Sequence, residues 1–199
     1  MLANLIDALF PAACAGCGRI GDGLCVRCVP PRPPIDVRLP TLCVTVLGVY
    51  DGALRSAVLA LKAGRRDAAA SLGGRLEALV PAGALLVPVP TTRTRRRMRG
   101  FDGGVLLARF AARSARAQVL EALVHAVDDM QRGRGRRERL AARGRFLCRT
   151  EALSGAHVLL VDDVVTTGAT LEDCAATLRR AGAIVERAVA VAAARPDGP

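Results

Sequence analysis

Two adjacent carboxylates, Asp162 and Asp163, close the apolar run from His157 to Val161. Val164-Val165-Thr166-Thr167-Gly168-Ala169-Thr170 follows, and a helical pattern begins there. The order is strand, acids, hydroxyl-rich turn, helix. In an open parallel sheet, ligands bind beyond the carboxyl ends of the strands. Such a turn aims backbone N–H groups and the positive end of the next helix at an anion. Thr166, Thr167 and Thr170 add hydroxyl donors, and Gly168 lets the backbone approach closely. The acids cannot hold the same anion, because like charges repel. They suit sugar hydroxyls, or a Mg²⁺ ion that bridges the sugar to further phosphates. The chemistry implied is chemistry on a phosphorylated ribose.

Rival motifs fit less well. No G-x-x-x-x-G-K-[ST] pattern occurs, and no dinucleotide fingerprint. A receiver domain also sets paired acids after an apolar strand, but near its start, and it needs a lysine further on. Here no lysine follows Asp163. A plain strand–turn–helix with a capping Asp needs neither the second acid nor the Thr-Thr-Gly-Ala-Thr run.

The second constellation is Cys14-x-x-Cys17 and Cys25-x-x-Cys28. Two such knuckles can offer four thiolates to a tetrahedral metal, usually Zn²⁺. Gly16, Gly18, Gly21 and Gly23 supply the tight turns that the spacing needs. The alternative is two disulfides, disfavoured in a reducing compartment. A closed four-cysteine site has no open position, so its job is structural: it folds a segment too small to fold alone. Cys43, Cys148 and Cys174 are left over, and core or edge packing is expected of His125 and His157.

Net charge is +11, and Lys62 is the single lysine among 29 basic residues. Five arginines fall between Arg93 and Arg99, and seven between Arg132 and Arg145. Arginine forks pair bidentately with phosphate, so a basic face can gather a polyanionic substrate or nucleic acid. Compositional bias toward Ala, Arg and Gly explains part of this. Residues are 51% hydrophobic but only 3% aromatic, so Ala, Val and Leu must build the core. No apolar run has the roughly 20 residues needed to span a bilayer, so no membrane insertion is expected. The apolar stretch before Cys14 lacks a preceding basic residue and is interrupted by Asn4 and Asp7. It reads as an amphipathic helix over residues 2–9 rather than a signal peptide, and a cytoplasmic location is expected.

These groups need a scaffold. Pro30, Pro31, Pro33 and Pro34 form a stiff linker. It divides residues 1–34, with the knuckle, from a domain over 35–199. Strands are expected over 42–49, 84–89, 119–126, 157–161 and 184–193. Helices are expected over 53–62, 68–80, 104–116 and 169–181, and a mobile loop over 130–145. Strands alternating with helices predict α/β architecture with a mainly parallel central sheet.

The segment Leu159 to Thr170 resembles the phosphoribosyl-pyrophosphate (PRPP) motif of type I phosphoribosyltransferases. The wider chain resembles the ComF family, which includes ComFC-like and GntX-like proteins. The cysteine pairs, Tyr50 followed by Leu61-Lys62, Val87-Pro88-Val89-Pro90, Arg99-Gly100-Phe101, and Gln131 followed by Arg139 and Gly144 carry that likeness. Asp102-Gly103 stands where the family often has Asn-Gln, and Ala141 where it often has Asn. The cysteine region is also more compact than in many relatives.

The resemblance implies a type I phosphoribosyltransferase fold with a small N-terminal zinc knuckle. It implies pentosyl transfer from PRPP with Mg²⁺, and an association with competence and DNA uptake. Asp162 and Asp163 would bind the ribose hydroxyls and help hold Mg²⁺. Val165, Thr166, Thr167, Gly168, Ala169 and Thr170 would hold the 5′-phosphate. Thr91, Thr92 and Arg93 would form the pyrophosphate loop, and residues 131–145 a closing hood. Lys62, Arg93 and Arg99 are the candidates to stabilise the leaving pyrophosphate, with solvated surface charge as the alternative for each. Candidate partners are PRPP or a related phosphoribosyl ligand, single-stranded DNA or a DNA-processing protein, and a second copy of the chain. A non-catalytic PRPP-sensing or DNA-binding module is the alternative to an enzyme.

Overall fold

The computed structural model describes residues 11–126, 128, 144–150 and 153–194. The helix expected over 2–9 and most of the expected hood lie outside the described residues. The elements run β1 (Ile35–Arg38), β2 (Cys43–Val49), α1 (Gly52–Lys62), α2 (Arg66–Leu76), β3 (Leu85–Pro88), α3 (Arg93–Arg99) and α4 (Gly103–Ala111). Then come β4 (Gln118–Val119), β5 (Leu123–His125), β6 (Phe146–Cys148), β7 (His157–Val165), α5 (Ala169–Arg180) and β8 (Ile184–Ala193).

Six strands form one sheet in the order β1-β2-β8-β7-β3-β4, and β5 pairs with β6 in a separate antiparallel ribbon. Within the large sheet β1 is antiparallel to β2, and every other pairing is parallel. This is the expected α/β class. Strand alternation sends neighbouring side chains to opposite faces. Val87, Leu160, Ala188 and Ala190 pack with Leu171, Cys174 and Leu178 of α5 on one face. Leu86, Val161, Val189 and Val191 pack with α1, α2 and α4 on the other, through Leu54, Val58, Leu61, Leu72, Leu76 and Leu107. Cys14 and Leu24 of the knuckle join this second cluster, each only 2% exposed.

Several boundaries differ from the sequence-based expectation. The edge strand β1 has no counterpart there. It is short and has a single buried residue, Val37, so it carries no apolar period. The strand expected over 119–126 is two strands in two sheets, because the chain leaves β3 after Val119 and pairs with β6 from Leu123. The helix expected to reach residue 116 ends at Ala111.

Two further differences shape the site. The strand β7 does not stop before the acids. It stays hydrogen-bonded to β8 through Val164 and Val165, so Asp162 and Asp163 are strand residues. Pairing with β3 ends at Val161, which leaves the acids beside an open flank. Arg93 to Arg99, where no helix was expected, forms α3.

Candidate functional site

The cleft opens where β3 ends and β7 continues. Its volume is about 490 Å³, and it joins residues far apart in sequence. Tyr50 and Lys62 enter from the β2–α1 side. Thr91, Arg95 and Arg99 enter from the loop after β3 and from α3. Asp162, Asp163, Thr166 and Thr170 come from the β7–α5 turn, and His125 and Arg145 from the small ribbon.

Asp163 faces Lys62, with Nζ 3.3 Å from Oδ1. Asp162 accepts a hydrogen bond from the backbone N–H of Asp163 at 2.8 Å. Burial pushes the Asp162 carboxyl up to about 8, and the neighbouring Asp163 charge adds to this; the Asp163 N–H and Lys62 pull the other way. Two carboxylates on one strand end cannot both ionise freely without a cation beside them. Their oxygens are hard donors at the rim of an open cleft, which fits Mg²⁺.

This raised value has a consequence for stability. In the unfolded chain the Asp162 carboxyl loses its proton near 3.8. Between that value and about 8 the folded state therefore binds the extra proton. Ligand-free stability should fall as pH rises through this window. Asp162→Asn removes the cost, so the variant should exceed wild type by on the order of 1–3 kcal/mol at pH 8 and by almost nothing near pH 4. Denaturant midpoints at the two pH values check this.

Past the acids, Gly168 takes φ +75° and begins α5. A Cβ there would collide with the Leu39 side chain, so the turn is pressed against the β1–β2 connection and only glycine fits. Thr41 of that connection donates its backbone N–H and hydroxyl to Glu172 in the first turn of α5. The Arg179 guanidinium donates to the Thr41 hydroxyl at 2.6 Å and to its carbonyl at 2.8 Å. The turn between β7 and α5 is thus held from behind by the hairpin.

Across the cleft, Thr92 caps α3, its hydroxyl accepting from Arg95 N–H. Buried Asp128 accepts from Arg93 N–H at 2.8 Å. Asp102 caps α4 by accepting from Gly104 and Val105, and it also accepts from Thr91 N–H at 3.2 Å. One carboxylate therefore ties the loop after β3 to the start of α4. This accounts for the Asp at a position where the resemblance leads one to expect Asn.

The structure sorts the predicted residues. Lys62, Thr91, Arg99, Asp162, Asp163, Thr166 and Thr170 line the cleft together. Val165 is buried, Thr167 accepts from Ala169 N–H at 3.4 Å, and Thr92, Gly168 and Ala169 sit behind or beside the lining. Arg93 is the departure. Helical spacing puts Arg95 and Arg99 on the cleft face of α3 and turns Arg93, Arg96 and Arg97 toward a second hollow at its outer side. Sequence reasoning missed Arg95 and His125 as lining residues. Helical spacing within the arginine run was the available signal for Arg95. No local signal marked His125, whose half-buried ring lies against Phe146 at 4.7 Å. Burial lowers its pKa, against the opposing pull of Asp128.

The four knuckle sulfurs lie within 4.8 Å of one another. Those of Cys17 and Cys25 are 3.8 Å apart, and Cys25 N–H donates to Cys14 Sγ at 3.3 Å. A tetrahedron of metal–sulfur bonds near 2.3 Å has edges of about 3.8 Å, so the cluster has the size of a Zn²⁺ site. Although burial opposes it, N–H groups of Cys25, Cys17 and Gly16 draw the Cys14 thiol down to about 6. The neighbouring sulfurs of Cys17 and Cys25 push Cys28 up to about 12. Four sulfurs this close can all ionise only with a cation among them.

A mainly parallel sheet, paired acids at a strand end and a glycine-led helix start define an open α/β architecture with its cleft at the strand ends. Residues 102–199 match the family model described as phosphoribosyl transferase domain. Competence protein ComFC of Bacillus subtilis strain 168 is 32% identical over 98 residues, which cover 49% of this chain and 39% of that protein's length. Over residues 102–199 the chain is thus similar to the phosphoribosyl transferase domain, and over about half of its length it is ComFC-like. Among solved structures, the B. subtilis glutamine PRPP amidotransferase complexed with ADP and GMP is similar at 19% identity, with a TM-score of 0.46 over 66% of this chain and 30% of that one. A protein of Thermus thermophilus is similar at 20% identity, with a TM-score of 0.35 over 69% of this chain and 84% of that one. Among the described residues, no helix is long and apolar enough to cross a membrane.

Proposed function

We propose that the cleft binds PRPP with Mg²⁺ and that the chain transfers its phosphoribosyl group to an acceptor nucleophile, in a role connected with DNA uptake. One observation carries this reading: a single cleft gathers both acids, the Thr166 and Thr170 turn, Thr91, and, besides Arg145, the cations Lys62, Arg95 and Arg99. The acids take the ribose hydroxyls and the metal. The turn and the start of α5 take the 5′-phosphate. The cations and Thr91 face the position left for pyrophosphate. In the reaction, the bond from C1′ to the pyrophosphate oxygen breaks and its electron pair leaves with pyrophosphate. The acceptor's lone pair forms the new bond to C1′, and its proton passes to solvent. Arg95, Arg99 and Lys62 stabilise the charge that grows on the leaving group. Mg²⁺, when bound, supplies further neutralising charge. The knuckle holds Zn²⁺ in a structural role.

Calorimetry with PRPP, with and without Mg²⁺, tests this reading; a wild-type protein that binds none sinks it. Binding with no pyrophosphate release across a panel of nucleobases would favour the second reading, a PRPP-sensing or DNA-binding module. The outward Arg93, Arg96 and Arg97 support that second reading. Two of the four Phe, Phe101 and Phe146, are buried, so phosphate contact rather than base stacking would dominate. DNA affinity that does not respond to salt would exclude it.

A further inference from the structure

The residues joining α1 to α2 reach in four directions within five positions. Lys62 extends into the cleft toward Asp163. Gly64, at φ +99°, runs so close to α3 that a Cβ there would lie 3.3 Å from the Arg99 carbonyl oxygen. Arg65 turns the other way. Its guanidinium donates to the carbonyl of Ala13, the residue before Cys14, and is clamped by Asp67, whose carboxylate accepts from Nε at 3.1 Å. Arg66 lies over the ring of Phe101, two residues past Arg99, at 5.6 Å. The corner is wedged between the knuckle and the end of α3, and it carries a cleft cation on its own first residue.

We infer that Arg65 is a positioning residue through which the metal-bound knuckle holds Lys62 and Arg99 in place for the phosphoribosyl ligand. The inference rests on the PRPP reading of the cleft. Its physical basis is close packing. Helix α1 ends at Lys62, and the turn after it is fixed by Ala63 N–H to the Leu59 carbonyl and Arg65 N–H to the Ala60 carbonyl. A shift at Arg65 therefore moves the last turn of α1 and the lysine on it. Once the guanidinium no longer grips Ala13, Gly64 is free to slide along Arg99. Because coupling is reciprocal, ligand in the cleft should also tighten the hold of the knuckle on its metal.

A second anchor serves as an internal control. Arg75, near the far end of α2, donates to the Val29 carbonyl at 2.8 Å and to the Leu24 carbonyl at 3.1 Å. It ties the same knuckle to the same helix, and among the described residues it hydrogen-bonds to none that lines the cleft. Both anchors contribute stability, and only Arg65 should set affinity.

The experiment uses the full chain purified with its zinc, and measures PRPP affinity by calorimetry with Mg²⁺ present. Arg65→Ala should weaken binding roughly tenfold while zinc content stays at one per chain, and Arg65→Lys, which keeps one donor to Ala13, should recover part of it. Arg75→Ala should melt earlier yet bind as wild type does. Chelating the zinc should weaken wild type about as much as Arg65→Ala does, with little further loss in that variant, because both remove one link. Equal affinity of Arg65→Ala and wild type, or equal losses in Arg65→Ala and Arg75→Ala, overturns the inference. If wild type binds no PRPP, the functional reading fails by itself. Amide exchange then decides the mechanical part: residues 63–66 and 100–101 should exchange faster in Arg65→Ala than in Arg75→Ala, and equal rates overturn it.

Discussion

Asp163→Asn is expected to weaken Mg²⁺-dependent PRPP binding about 100-fold at pH 7, with the fold intact. The two acids are not equivalent. Burial pushes the Asp162 carboxyl up to about 8, whereas the Asp163 carboxylate is paired with Lys62. On the proposed reading, losing that charge removes a Mg²⁺ ligand, and it frees the Lys62 ammonium from its anchor. Charge-assisted contacts contribute roughly 1.5–3 kcal/mol each, and two are lost together. Asp162→Asn keeps an oxygen to accept from Asp163 N–H, so it folds well and is more stable at high pH. It cannot release a proton to meet a cation, however, so it too should bind poorly. A stabilised protein that binds its ligand worse is the expected signature of a site strained for function. Calorimetry of both variants, beside their denaturant midpoints, checks the pair. An Asp163→Asn protein with wild-type affinity would remove the acids from the site.

Most of the scaffold was legible because burial sets sequence period. The strands β3, β7 and β8 lie inside the sheet and are buried on both faces over 86–88, 158–161 and 188–193, so those stretches read as apolar runs. The helices α1, α4 and α5 bury one stripe each, so their apolar residues recur at helical spacing. What failed lacked that signature. The edge strand β1 buries one side chain, and α3 buries none, so neither carries a period to read. The helix α3 exists because Thr92 and Asp128 cap its first turn and Gly100 ends it at φ +77°. Asp128 reaches it from 35 positions away.

The site was legible in proportion to how local it is. Asp162 to Thr170 is one contiguous segment, and each residue type in it has a chemical reason to be there. The far wall is assembled from β5, α3 and the end of α1, and no spacing rule brings those together. A run of five arginines says that anions are welcome without saying which arginines face them. Only the helix decides, by turning Arg95 and Arg99 inward and Arg93, Arg96 and Arg97 outward. The resemblance therefore named Arg93 and passed over its neighbour two positions on.

Removing the knuckle metal is expected to have the largest effect on stability. Chelation, or Cys14→Ser, should lower the melting temperature by about 10 °C or more, whereas reducing agent alone should change nothing. The reason is where the knuckle sits. Cys14 and Leu24 are buried with α1, α2 and α4, and Arg75 commits its guanidinium to knuckle carbonyls. Without a cation, four sulfurs within 4.8 Å repel as they ionise, and the turns that carry them have little apolar surface of their own. The loops then open, and the face of α1 and α2 that they cover meets water. Structural zinc contributes roughly 10 kcal/mol or more to folding in isolated zinc-finger peptides, so even a third of that is comparable to a large core side-chain deletion. Cys14→Ser should cost more than Cys17→Ser, because Cys14 is 2% exposed and Cys17 lies at the surface. Thermal melts read beside metal content separate the two cysteine chemistries. Melting that falls with reductant and ignores chelator would mean that the cysteines pair as disulfides.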